Sequence, residues 1–173
     1  ISATAGRTLS LLQRNIYHCP ERIKLMSYKS LVRPQLEYCN TIWDPHIKCH
    51  INQLEALQNR AARFITNDFR RYSSVTQMKS DIGLESLESR RKINKAILFY
   101  KIQNKLVDVT LNLRQSAHFP GKYTQIQCRT TAYQRSFVPD SIVVWNKLST
   151  TATSSISLEA FKTNATSELI HLF

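Results

Sequence analysis

Apolar positions recur along the first 106 residues with the three-and-four spacing of amphipathic helices. Leu9, Leu12 and Ile16 predict a helix over residues 3–18, which Pro20 ends. From Glu21 the rhythm resumes at Leu25, Tyr28, Val32, Leu36, Cys39 and Trp43. That is one face of a helix about six turns long. Pro34 lies inside it, has no N–H to give, and predicts a kink with a lost backbone bond near residue 30. Leu31, Tyr38 and Ile42 fall off the stripe, which predicts a helix packed on more than one side. Asp44-Pro45 closes it. Ile47, Ile51, Leu54, Leu57, Ala61 and Ile65 then mark the buried stripe of a helix over 47–65.

Residues 67–72 form a basic loop. Ser74 and Gln77 stand at capping-box spacing before a short helix carrying Val75, Met78 and Ile82, and Gly83 is placed to stop it. Ser86 is a candidate cap for a last long helix, to about Leu106, with Glu88 in its first turn. Ile93, Ala96, Ile97 and Tyr100 form its core side. Leu98, Phe99 and Ile102 fall opposite, among cations, so this helix either packs on two sides or covers them with Lys and Arg stems.

After residue 106 the pattern changes. Residues 107–121 read as a loop ending in Pro120-Gly121. The alternation over 122–134 predicts a short strand or hairpin. Phe137-Val138-Pro139 precedes an apolar helix with Ile142, Val143, Val144, Trp145 and Leu148. A Ser/Thr linker over 149–155 leads to a final helix, capped by Ser157, with Leu158, Phe161, Ala165, Leu169 and Leu172. The expectation is a mostly α protein: a helical bundle over 1–106 and a smaller mixed α/β or irregular extension over 107–173.

Composition narrows the chemistry. The chain has 173 residues and a net charge of +12, with a pI near 9.8. Polyanions are the first partners to consider. Basic residues outnumber acidic ones nine to four in 1–66, nine to four in 67–106 and six to four in 107–173. Only three glycines are present, and none makes a dinucleotide-binding or Walker phosphate loop. No apolar stretch approaches the roughly 20 residues that span a bilayer, and no secretory signal opens the chain. Ile1 stands where a Met would begin a complete product, which fits a piece of a longer chain. The cysteines Cys19, Cys39, Cys49 and Cys128 form no C-x-x-C and read as free thiols of a reducing compartment.

Three segments, in order, resemble one family. They are Tyr28-Lys-Ser-Leu-Val-Arg-Pro-Gln-Leu-Glu-Tyr-Cys running on to Trp43-Asp-Pro45; Leu54-Glu-Ala-Leu-Gln-Asn-Arg-Ala-Ala-Arg-Phe-Ile65; and Tyr133-Gln-Arg-Ser-Phe-Val-Pro139 with Ile142, Trp145, Asn146 and Leu148. Together they resemble the C-terminal, thumb and post-thumb, part of jockey-like non-LTR retrotransposon reverse transcriptases, over about residues 3–170. The chain departs from that pattern at Val143, Val144 and Ser149. The resemblance implies a helical thumb, an RNA-directed DNA polymerase as parent, and a nuclear place of work. It also implies that Mg²⁺ and the paired aspartates holding it lie in a palm upstream. No Asp-Asp pair occurs here; the aspartates are Asp44, Asp68, Asp81, Asp108 and Asp140.

On this reading the chain is not an enzyme on its own and carries no cofactor. Its partners are an RNA/DNA primer–template duplex and the remainder of the parent polymerase, with no membrane and no small-molecule substrate. Arg60, Arg63, Arg70, Arg71, Arg90, Arg91, Lys92 and Lys95 are the densest cations and the candidate phosphate contacts. Such contacts hold a duplex without reading its sequence. His46, Cys49 and His50 fall short of a zinc site, because no fourth ligand stands near. Tyr28, Tyr38, Trp43, Tyr100 and Trp145 share helical spacing with aliphatic residues and read as core. Two other readings stand beside this one: a structural or protein-interaction module whose charges only keep it in solution, and the remnant of a decayed element.

Overall fold

The apolar stripes fold as helices. The computed structural model describes residues 1–170. In chain order the helices are α1 (Ser2–Asn15), α2 (Glu21–Ser27), α3 (Arg33–Glu37), α4 (Asn40–Trp43), α5 (Lys48–Thr66), α6 (Val75–Asp81), α7 (Leu87–Gln103), α8 (Thr131–Gln134), α9 (Phe137–Lys147), α10 (Thr150–Thr153) and α11 (Leu158–Ile170). A π-helical segment, Tyr28–Val32, joins α2 to α3. Among the described residues the only β pairing is an isolated antiparallel bridge between Gln115 and Tyr123. The chain is mostly α. The strand expected over 122–134 does not form, and Leu172 lies outside the described residues.

The chain makes two compact units. Unit 1 comprises Ile1–Asn40 and Pro45–Leu87; unit 2 comprises Thr41–Asp44 and the described residues from Glu88 on. The division falls at Leu87, not at 106 as the loss of periodicity suggested. α7 shares its core with α9 and α11, and the four-residue excursion carries Asp44 to cationic partners on α7.

In unit 1 the core is built from Ala5, Leu9 and Leu12 of α1, Tyr28 and Val32, Leu36, and Leu54, Leu57, Ala61, Phe64 and Ile65 of α5. Met78, Ile82 and Leu84 extend it beneath α6. At Pro34 the backbone changes register. The Arg33 N–H donates to Tyr28 O, five residues back, so the helix widens into a π turn where the proline ring would collide with a carbonyl. The helix then stops at Glu37, short of Trp43. Tyr38 leaves the helical region and Cys39 is left-handed (φ 51°). Leu31, Tyr38 and Ile42 are exposed (51, 75 and 77%), so the second packed side expected of this segment is not there. Ser74 caps α6 by accepting from the Gln77 N–H, while the Gln77 side chain turns to Asp81 instead of closing the box. Gly83, at φ 61°, ends α6 in the left-handed region that glycine adopts without strain.

Unit 2 has its own core: Ile93, Ala96, Phe99 and Tyr100 of α7, Ile142, Val144, Trp145 and Leu148 of α9, Ala152, and Phe161, Ala165 and Leu169 of α11. Both sides of α7 are apolar as predicted, since Phe99 and Ile102 are buried along with Ile93 and Tyr100. The rings interlock. Tyr100 stacks on Phe161 at 4.3 Å, and Trp145 meets Phe99 at 5.0 Å and Phe161 at 5.6 Å. Their polar atoms are satisfied, with Trp145 Nε1 donating to Gly121 O and the Tyr100 hydroxyl to Ser155 O. The supposed 149–155 linker folds as α10. Ser149 caps it, accepting from the Ala152 N–H while donating to Glu168 on α11.

Candidate nucleic-acid interface

The eight cations singled out from the sequence meet different fates. In unit 1, Arg60, Arg70 and Arg71 are exposed and Arg63 is half-buried. Arg63 is spent on backbone. Its Nη1 donates to Asp68 O (3.4 Å) and Arg70 O (2.8 Å), and its Nη2 to Ser73 O (3.4 Å). It therefore orders the 68–73 loop. Arg70 is paired with Asp68 at 2.9 Å and lies 5.5 Å from the Tyr72 ring. The Arg70 guanidinium beside Asp68 holds its carboxyl well below the usual carboxylate range.

Unit 2 draws three of the others inward. Arg91 and Lys95 are 2% and 1% exposed, so neither head is offered to solvent. Arg91 Nε bonds Asp44 Oδ1 at 2.6 Å. Lys95 Nζ lies 2.7 Å from Asp44 Oδ2 and 2.6 Å from Asp140 Oδ2. Lys92 Nζ reaches Asp140 Oδ2 at 2.9 Å and Asp44 Oδ2 at 3.6 Å. Burial pushes the Asp140 carboxyl up, but Lys95 and Lys92 outweigh it and leave the carboxyl below its ordinary value. The phosphate role expected of Arg91, Lys92 and Lys95 gives way to an internal one: they neutralise two aspartates. Arg90 is half-buried and has a partner of its own.

The scattered aspartates are thus less scattered than the sequence implied. Asp44 and Asp140 converge, but the Lys95 ammonium stands between them, so this pair does not fit a metal ion. Among the described residues no three His, Cys, Asp or Glu side chains gather as a metal site. His46, Cys49 and His50 are all exposed at the start of α5, and all four cysteines are free. No described helix is long and apolar enough to cross a membrane.

What remains is a groove in unit 1 between α1 and α5, about 870 Å³ in volume. Arg7 and Arg14 of α1 and Arg60 of α5 line it, over a floor that includes Ala3, Gly6 and Ala56, and no carboxylate is in the lining. Arg60 is steadied by a bond from Nη2 to Gly6 O (3.3 Å). Gly6 lies directly beneath that head, with Arg60 Nη2 and Leu57 Cδ1 both 3.5 Å from where a Cβ would stand, an ordinary van der Waals contact. Arg7 and Arg14 are seven residues apart, two turns along one face and roughly 10 Å. That is the layout of a strip that follows a polyanion backbone.

No family model, curated protein or solved structure matches this chain.

The groove was only partly legible in advance. Arg60 is among the densest cations of the sequence, while Arg7 and Arg14 lie in the less densely charged α1. The signal was present: α1 has two arginines on one face and no acidic residue at all. Of the five aromatics assigned to the core, Tyr28, Tyr100 and Trp145 are buried, Trp43 is half-buried and Tyr38 is exposed.

Proposed function

We propose that the chain is a non-catalytic C-terminal part of a non-LTR retrotransposon reverse transcriptase, and that its unit 1 holds the sugar–phosphate backbone of a primer–template duplex. One observation carries the binding part of this reading: the α1–α5 groove, where Arg7, Arg14 and Arg60 converge with no carboxylate beside them. Guanidinium forks match phosphate oxygens, and each contact releases condensed counterions whatever the sequence. The resemblance of the three segments supports the parentage, with nucleotide transfer assigned to a palm elsewhere in the parent and the place of work to the nucleus.

Binding of a labelled RNA/DNA duplex, measured by anisotropy across a salt series, tests this. Arg7→Gln, Arg14→Gln and Arg60→Gln together should weaken binding to every sequence alike and flatten the salt slope by about three units, one per phosphate contact. An unchanged slope in the triple variant would remove the groove from the reading.

A second reading, a module that docks on another protein surface, draws on Ile23, Met26 and Leu31, apolar and 43–57% exposed along α2 and the π segment. It expects the same triple variant to leave duplex affinity untouched.

A further inference from the structure

Unit 2 contains a second concave site that the thumb reading does not use. It is an open cavity of about 620 Å³ inside the 114–125 loop, against α9. That is ample for a ligand of a few dozen atoms. Arg114, His118 and Lys122 line it together with Phe119, Gln125 and Asn146, and the lining holds no carboxylate. Among the described residues Arg114 and His118 make no ion pair. Arg91, Lys92 and Lys95 of α7 are neutralised internally, so the Arg114 side of this cavity is a separate group.

The loop is held in shape. Thr124 N donates to Arg114 O (2.8 Å) and Ser116 N to Lys122 O (2.9 Å), around the Gln115–Tyr123 bridge. Asn146 clamps it to α9, accepting from Tyr123 N (3.0 Å) and donating to Tyr123 O (2.7 Å). The Tyr123 hydroxyl donates to Gln103 on α7 (2.6 Å), and Lys122 Nζ donates to Asn146 O (3.2 Å) and to Leu148 O. A backbone so tied holds the loop in one conformation before any ligand arrives, which lowers the ordering cost of binding. Yet Phe119 is 67% exposed at the tip, an apolar ring that contributes little to the fold where it stands.

We propose that this cavity binds a nucleoside phosphate, its phosphate on Arg114 and His118 and its base against the Phe119 ring. Arg114, which makes no ion pair among the described residues, selects an anion, and the His118 ring N–H beside it is a further donor. An exposed ring beside them offers a planar partner, and every base has a face to stack. Free phosphate would leave the ring unused, and an aromatic hydrocarbon would leave Arg114 unused. The same chemistry comes from a free nucleotide or from the phosphorylated 5′ end of a strand. The inference stands on unit 2 alone and does not depend on the role given to the α1–α5 groove.

Calorimetric titration of the whole chain at low salt tests it with three probes: adenosine triphosphate, a 5′-phosphorylated trinucleotide, and tripolyphosphate. Arg114→Gln with His118→Gln should weaken the first two by about tenfold or more, the worth of one or two charge-assisted bonds. Phe119→Ala should weaken nucleotide binding about fivefold or more and leave tripolyphosphate unchanged. The tighter of the two nucleotide probes identifies the source. These three side chains are exposed and bond nothing in the core, and unchanged melting curves verify that the variants fold. The proposal is overturned if tripolyphosphate competes as well as the nucleotides and Phe119→Ala has no effect. It is equally overturned if binding survives the loop variants and is lost only when Arg7, Arg14 and Arg60 are replaced, because the nucleotide then occupies unit 1.

Discussion

Asp140→Asn should do far more damage than the loss of one negative charge on a basic protein would suggest. The carboxylate is 6% exposed and accepts from two ammonium groups, Lys95 Nζ at 2.6 Å and Lys92 Nζ at 2.9 Å. Its removal leaves Lys95, itself buried, to share Asp44 with Arg91 and Lys92. Breaking a buried ion pair from one side costs about 3–5 kcal/mol, because the remaining charge is stranded in low dielectric. In a chain of this size that lowers the melting midpoint by roughly 6–20 °C. A control isolates burial from geometry. Lys162 meets Glu159 at 2.7 Å, nearly the same distance, but the carboxylate is 81% exposed. Glu159→Gln should therefore cost less than about 1 kcal/mol. Both tryptophans, Trp43 and Trp145, belong to unit 2, so intrinsic fluorescence during urea titration reports this unit and not the other. The pH dependence has a definite sign. The folded Asp140 carboxyl titrates below its unfolded value of about 3.9, so its contribution is complete above that pH and is lost as pH falls through the lower, folded value. Asp140→Asn should remove that part of the acid sensitivity. If Asp140→Asn costs no more than Glu159→Gln, the cluster is hydrated and the internal role argued for these lysines is wrong.

Gln58 is fully buried and links the Tyr28 hydroxyl (3.0 Å) to Glu85 O (2.7 Å), so Gln58→Ala should cost about 1–3 kcal/mol by far-UV circular dichroism in urea. Gly83→Ala meets nothing within 4 Å, so its cost is conformational alone, about 1–2 kcal/mol for a left-handed alanine, read from the same melts. Ser74→Ala removes the acceptor for the Gln77 N–H and should lose about 1 kcal/mol, seen as faster amide exchange confined to α6.

How far the sequence could be read depended on the range of the interactions involved. Helices were legible because their determinants are local: the stripes of α1, α5, α7, α9 and α11 lie within a few residues of where periodicity put them. Ser74, Gly83 and Ser157 punctuate the chain as their chemistry predicts, with Ser157 Oγ accepting from the Ala160 N–H. The 122–134 alternation misled because alternation describes a half-buried extended chain, not a ladder. Tyr123 is drawn onto Phe99 at 5.5 Å and makes a single bridge, and among the described residues no neighbouring strand continues it. The unit boundary was illegible because it depends on Asp44 pairing with side chains about fifty positions away, and no local pattern encodes that.

Charge was the least readable property, and the reason is geometric. Arg91 and Lys95 precede Phe99 at four-residue steps, so all three share one stripe, and Phe99 is fully buried. A cation in register with a buried ring is inside unless its stem is long enough to escape. Here two aspartates from distant parts of the sequence meet the heads first, and escape is unnecessary. Reversing Arg90, Arg91 and Lys95 to test nucleic-acid binding would thus report unfolding of unit 2. The opposite holds for α1, where only two arginines stand but both keep to one face with no acid to meet them. For a chain at +12, the number of cations in a segment says less about polyanion binding than the number left without a carboxylate on a shared face. By that measure the groove of unit 1 and the 114–125 loop outrank the more heavily charged α7.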